Sequence, residues 1–299
     1  MNHDVTDPLG DLLDVLALRP EEPTTGQYGD VRDMFSGRSQ PTPHKRIFGG
    51  QALAQCLIAA GRSVTMTRDD TLVPHSLHAN SLQAGDPDVP LVFMVERLRD
   101  SRSFSARRVH ALQHDRPILA MMCSFALESD ALDHQIAMPS VPAPESIPDL
   151  AAELYAMPTT ARSDWLMRRA VDIRHVGGHI ALEPGPATDQ QAVWFTALGD
   201  LPDDPLIHAA VFAYASDWTI LEPVLRRHGI AWVDPRLRAA SLDHSMWFHR
   251  PGRADRWTLF TQESPSAASG RGLGYGHLFA QDGTLIASVV QEGMVRLKE

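Results

Sequence analysis

Two patterns of apolar spacing alternate along this chain, and each occurs twice. Leu9, Leu12, Leu13 and Leu16 fall at helical spacing behind Asp7-Pro8, a pair that caps and opens a helix. Residues 20–46 are rich in Pro, Gly and charge and are predicted as a long loop. Phe48-Gly49-Gly50-Gln51 then opens a helix to about Gly61 that is apolar nearly all round, so it is predicted to be buried. From Pro74 to Glu128 the period becomes two, and SLHANSL, VFMVERLR, FSARRVHALQ and ILAMMCSFAL read as strands between turn clusters. The proline-rich stretch 131–160 reads as a linker, and 163–196 is mixed, with strand character around Val171–His175 and Gln191–Leu198. A second apolar helix is predicted over Leu206–Leu225. SLDHSMWFHR, RWTLFTQES, GRGLGYGHLFA and LIASVVQEGMVR follow as strands.

Both halves thus read as a helix followed by a meander of long antiparallel strands. Ser76-Leu77-His78 aligns with Ser241-Leu242-Asp243, and Ser105-Ala106-Arg107 with Ser269-Gly270-Arg271, at offsets that agree to one residue. Recurrence of order and spacing marks a duplicated unit. A long helix wrapped by a curved antiparallel sheet is the hot-dog arrangement, so the expected class is α+β, a double hot-dog. Its N-terminal unit spans 1–130, the linker 131–160 and the C-terminal unit 161–299. Each unit needs the other to cover its sheet edge.

Composition narrows the function. Of 299 residues 43% are hydrophobic and 21% charged, the balance of a globular protein. A net charge of -10 argues against a sequence-independent nucleic-acid binder. Cys56 and Cys123 lie in apolar runs and read as buried thiols rather than a disulfide. The first residues carry no apolar run of the signal-peptide kind, and the longest apolar stretch is too short to span a bilayer, so a cytoplasmic location is expected.

Several apparent motifs dissolve on inspection. In a straight strand Ser241, Asp243, Ser245, Trp247 and His249 share one face, and Leu242, His244, Met246 and Phe248 the other. Asp243 and His249 are then roughly 20 Å apart, which excludes a catalytic triad or a two-histidine metal pair within the segment. G-x-S-x-G is absent. The alternating glycines from Gly270 to Gly276 fail the dinucleotide pattern and read as a bare strand face that admits a close neighbour. His110 and His114 stand about 13 Å apart on a strand, and no cluster has zinc spacing, so no metal is expected. Gly85-Asp86-Pro87 lacks the Asn of the hot-dog hydratase signature and reads as a turn. Asp217 differs. It lies in AYASDWTIL, where a carboxylate is costly to bury unless paired or used. It is either a satisfied core acid or a functional one. Gln291 poses the same question within LIASVVQEGMV.

FGGQALAQ, SFSARRV, AYASDW, LDHSMWFHR and VVQEG together closely resemble the acyl-CoA thioesterase II family from about Leu12 to Arg296. The resemblance implies hydrolysis of acyl-CoA to fatty acid and CoA without metal or bound cofactor, by dimers or tetramers of the double unit. It implies that Asp217, Ser241 and Gln291 hold the hydrolytic water, in one set per chain carried mostly by the C-terminal unit. Direct attack by the carboxylate is the other route open to it. The family usually has Thr where this chain has Ser241, so the hydroxyl is kept and the stiffening β-branch lost. Gly49-Gly50, opening the first buried helix, is the candidate donor to the oxyanion. Arg107, Arg108, Arg250 and Arg271 are available for CoA phosphates but remain unassigned. A hot-dog enoyl-CoA hydratase and a non-catalytic acyl-CoA binder are the rival readings.

Overall fold

Helix α1 (Pro8–Leu16) begins as its capping pair requires, with Asp7 Oδ1 accepting the Gly10 N–H at 2.8 Å, and buries Leu9, Leu12, Val15 and Leu16. The computed structural model describes residues 7–298 apart from 28, 43, 44, 69, 131 and 150–168. Residues 20–46 are not one loop. They contain β1 (Arg19–Thr25) and β2 (Val31–Gly37). β1 is an edge strand exposed at every position and carries two prolines, so it has no apolar alternation to read. Helix α2 (Gly49–Thr65) runs past Gly61 and is buried along nearly its whole length. The meander β3 (Val73–Ser81), β4 (Leu91–Asp100), β5 (Phe104–Gln113) and β6 (Arg116–Ala126) wraps it.

Residues 132–149 of the expected linker hold a short 3-10 turn, Pro144–Ser146, and residues 150–160 lie outside the described residues. The second half follows with β7 (Val171–His175) and β8 (Gln190–Ala197), close to the stretches read as strands. The predicted helix Leu206–Leu225 is broken. Helix α3 (Pro205–Ser216) ends before Asp217, a turn occupies 217–221, and α4 (Glu222–Arg227) resumes. Pro223 explains the break: it has no N–H to give Thr219, and its ring would strike that carbonyl in a continuous helix.

SLDHSMWFHR is likewise two strands, β9 (Leu237–Ser241) and β10 (Asp243–Phe248). With β11 (Thr258–Ala268), β12 (Arg271–Ala280) and β13 (Leu285–Leu297) they complete the second half. Among the described residues one thirteen-stranded antiparallel sheet results, in the order β1-β2-β4-β5-β6-β3-β10-β13-β12-β11-β8-β7, with β9 beside β13. β3 pairs with β10 at its centre, so the halves share one sheet, and α2 and α3 pack against each other inside it. This is the double hot-dog.

The alternating glycines do what a bare face allows. An added Cβ would lie 2.6 Å from the Val224 side chain at Gly272 and 2.1 Å from the Ile220 carbonyl oxygen at Gly274. The broken-helix segment therefore rests directly on β12.

Candidate active site

Helix α2 starts at Phe48 without any side-chain cap of its own. Its cap comes from the other half. Asp217, the residue that ends α3, accepts the Gly50 N–H on Oδ2 at 2.7 Å. A carboxylate at a helix N-terminus meets unsatisfied N–H groups and the positive end of the dipole. Gly49 makes the approach possible, because a Cβ there would stand 2.7 Å from the same oxygen. The Phe48 ring, 4.6 Å from Trp218 and 5.3 Å from Tyr214, ties the two helix ends together.

Strand alternation alone misplaces Ser241. Ser241 pairs with Gly293 but Ser245 pairs with Val290, so four steps on one strand match three on β13. The extra residue is a bulge at Leu242, and it reverses the face of everything before it. Ser241 therefore shares the inner face with Gln291 instead of facing outward with Ser245. That overturns the straight-strand expectation, which put Ser241 and Asp243 on one face and His244 on the other.

The consequence is a single hydrogen-bonded chain. Ser241 Oγ donates to Asp217 Oδ1 at 2.9 Å and accepts from Gln291 Nε2 at 3.0 Å. Gln291 Oε1 meets His244 Nδ1, and His244 Nε2 lies 3.1 Å from Ser216 Oγ. Burial lowers the His244 pKa, with the Asp217 charge opposing, which favours the neutral imidazole. Nδ1–H then donates to Gln291 Oε1, which turns the Gln291 amide N–H toward Ser241 and the Ser241 hydroxyl toward Asp217. The sequence pattern alone gives His244 no more than a place on a packed face. Its signal was there, a lone ionisable group in the inward register with Met246.

A cavity of about 10 Å³, close to the room one water needs, is walled by Gly49, Asp217, Ser241, Asp243 and His244 among others. Gln291, fully buried, adjoins it through Ser241. Gly49, Asp217 and Ser241 also line a cleft of about 1300 Å³ whose walls include Phe48, Ile173, Trp218 and Leu221. One expectation changes here, and one open question closes. Gly50 does not offer a spare N–H, because Asp217 already takes it. The four arginines considered for phosphate are paired elsewhere: Arg107 with Asp100, Arg108 with Glu96, Arg250 with Asp133 and Arg271 with Glu292. Arg46, Arg238, Arg296 and Lys298 line the cleft instead.

Comparison with known proteins agrees with this architecture. Residues 38–126 match the acyl-CoA thioesterase N-terminal domain and residues 165–294 match acyl-CoA thioesterase. Human acyl-coenzyme A thioesterase 8 is 38% identical over 98% of this chain and 92% of its own. The chain belongs to the acyl-CoA thioesterase family. Acyl-CoA thioesterase 2 of Haemophilus influenzae is 35% identical over 89% of this chain and 93% of its own. Among solved structures, the acyl-CoA thioesterase II TesB2 from Mycobacterium marinum superposes with a TM-score of 0.71 at 36% identity, covering 96% of this thioesterase-family chain and 99% of that one. No helix among the described residues is long and apolar enough to cross a membrane.

Proposed function

We propose that this family member hydrolyses acyl-CoA thioesters to free fatty acid and CoA, using a water held by Asp217, Ser241 and Gln291. The observation that carries the reading is the Asp217–Ser241–Gln291 chain beside a water-sized cavity that shares Gly49, Asp217 and Ser241 with a large, mostly apolar cleft. Asp217 accepts a proton from the water as its oxygen attacks the thioester carbon. Ser241 fixes the water, and Gln291, oriented by His244, fixes Ser241. The tetrahedral intermediate then collapses with expulsion of the CoA thiolate. The water route is favoured over direct carboxylate attack, because a cavity with room for one water lies against Asp217 and Ser241. The Gly49 N–H is our candidate for the oxyanion, with Gly50 setting Asp217. Arg46, Arg238, Arg296 and Lys298 are candidates for the CoA phosphates. We further propose cytoplasmic dimers or tetramers of the double unit, acting without metal or bound cofactor.

Thiol release from a chain-length series of acyl-CoAs tests this. Asp217→Asn is expected to lower kcat by about 10²–10⁴-fold, the range for a positioned general base. A variant with near-native turnover would remove Asp217 from the chemistry. Hydration of an enoyl-CoA would favour a hydratase, and binding without thiol release a non-catalytic binder.

A further inference from the structure

In a regular strand the N–H and C=O of one residue point to the same neighbouring strand. At Leu242 they part. Its N–H donates to the Glu292 carbonyl of β13 at 2.9 Å, while its carbonyl accepts the Ser81 N–H of β3, in the other half, also at 2.9 Å. The Glu292 N–H points the same way as the Glu292 carbonyl, and the Leu242 carbonyl that would meet it in an unbroken ladder has turned away. Asp243 takes that place. Its Oδ1 accepts the Glu292 N–H at 2.8 Å. The roles are fixed, because a backbone N–H donates and a carboxylate accepts. Without this bond the N–H would stand unpaired inside a partly buried sheet, which is costly.

The bond sits where the register of the site is decided. Ser241 pairs with Gly293 and Ser245 with Val290, so Leu242 and Asp243 together stand opposite Glu292 alone. Glu292 lies between Gln291, which donates to Ser241 Oγ, and Gly293, which pairs with Ser241. Asp243 also walls the water-sized cavity together with Asp217 and Ser241. We infer that Asp243 is a positioning residue: its carboxylate replaces the Leu242 carbonyl in the ladder and so holds the bulge that turns Ser241 toward Asp217 and Gln291. With that acceptor gone, the Leu242 carbonyl is drawn back to Glu292 or the N–H takes up water, and Ser241 loses its alignment in either case. This rests on the water-held hydrolysis proposed above and adds to it a residue that acts through Ser241.

The test compares variants of the full-length protein by thiol release from one acyl-CoA, well below their melting temperatures, with hydrogen exchange of the Glu292 amide followed in parallel. Asp243→Ala removes the acceptor and is expected to lower kcat about 10- to 100-fold, the cost of a misplaced catalytic group, while KM stays within about threefold. Asp243→Asn keeps an oxygen in the same place and is expected to restore kcat to within about threefold of wild type. Exchange at Glu292 should be slow in the wild type and in Asp243→Asn, and about tenfold faster in Asp243→Ala. Native kcat or unchanged Glu292 exchange in Asp243→Ala overturns the role. So does an Asp243→Asn as slow as Asp243→Ala, because the charge and not the acceptor would then matter. Should Asp243→Ala fail to fold, Asp243→Ser takes its place. Its hydroxyl stops short of the Glu292 N–H, so kcat is expected to fall at least about threefold, and a native kcat overturns the role equally. A wild-type protein that releases no thiol counts against the hydrolase reading instead, and the Glu292 exchange still decides whether Asp243 holds the bulge.

Discussion

Gly49 is the residue on which the approach of the two halves turns. An Ala there would put its Cβ 2.7 Å from Asp217 Oδ2 and 3.7 Å from Ser241 Oγ. The helix start is fixed by its own backbone, so the carboxylate is the group that must move, and it would leave the Gly50 N–H. A displacement approaching 1 Å in a positioned base costs on the order of 10²-fold in rate. Gly49→Ala is therefore expected to lower kcat roughly 10- to 100-fold with a small change in melting temperature. Unchanged kcat would show that Asp217 acts from some other position. The sequence put Asp217, Ser241 and Gln291 forward because each is a polar group out of place or part of a family motif. It could not place His244. One inserted residue at Leu242 decides which side chains face inward, and a bulge leaves no periodic trace.

Elements were legible where one face is apolar and the other polar. β5 and β7 alternate throughout in burial, and β3 to β8 and β11 to β13 stand close to where the pattern put them. β1 has no buried face, so nothing in its pattern marks it as a strand. The break between α3 and α4 had a legible cause in Pro223, but apolar continuity through residues 206–225 hid it. That break matters, because the turn 217–221 lays Ile220 on Gly274, the direct partner of Gln291 on β13. Gly274→Ala would set a Cβ 2.1 Å from a backbone oxygen, which cannot rotate away. The turn must lift, and with it Asp217 relative to Gln291. A destabilisation of about 1–3 kcal/mol is expected, the usual cost of overpacking, together with a fall in kcat. Gly177→Ala, with open space around its Cβ, is the control and should change neither. A Gly274→Ala protein with native melting and native kcat would show that the turn is not seated by β12.

The whole molecule joins two similar units so that each buried helix meets the other, and this crossing accounts for the single catalytic set we propose. Asp217 near the end of α3 meets the start of α2. At the corresponding crossing Gly61 of α2 meets Leu206 at the start of α3, with a Cβ only 2.5 Å from that side chain. A glycine against a leucine supplies no base, in keeping with our proposal of two units at 1–130 and 161–299 and one catalytic set. The price of enclosing so much polar machinery is a dependence on pH. Burial lowers the pKa of His244, and it is also the leading cause for His110, His208 and His277. An unfolded imidazole titrates near 6.5. Between that value and the lowered folded values, the unfolded chain takes up protons that the folded one refuses. Stability is therefore full above about pH 6.5 and falls as the pH drops below it. Asp255, held at about 2 by Arg253 and the Leu201 N–H against the opposing effect of burial, adds no loss until far lower pH. Melting temperatures measured between pH 7.5 and 5.0 should decline toward the acid end, and His244→Gln, which replaces the most deeply buried of these rings, should flatten part of that slope. A profile level through this range would mean that these histidines gain protons in the folded state as readily as in the unfolded chain, and the neutral His244 that orients Gln291 would go with it.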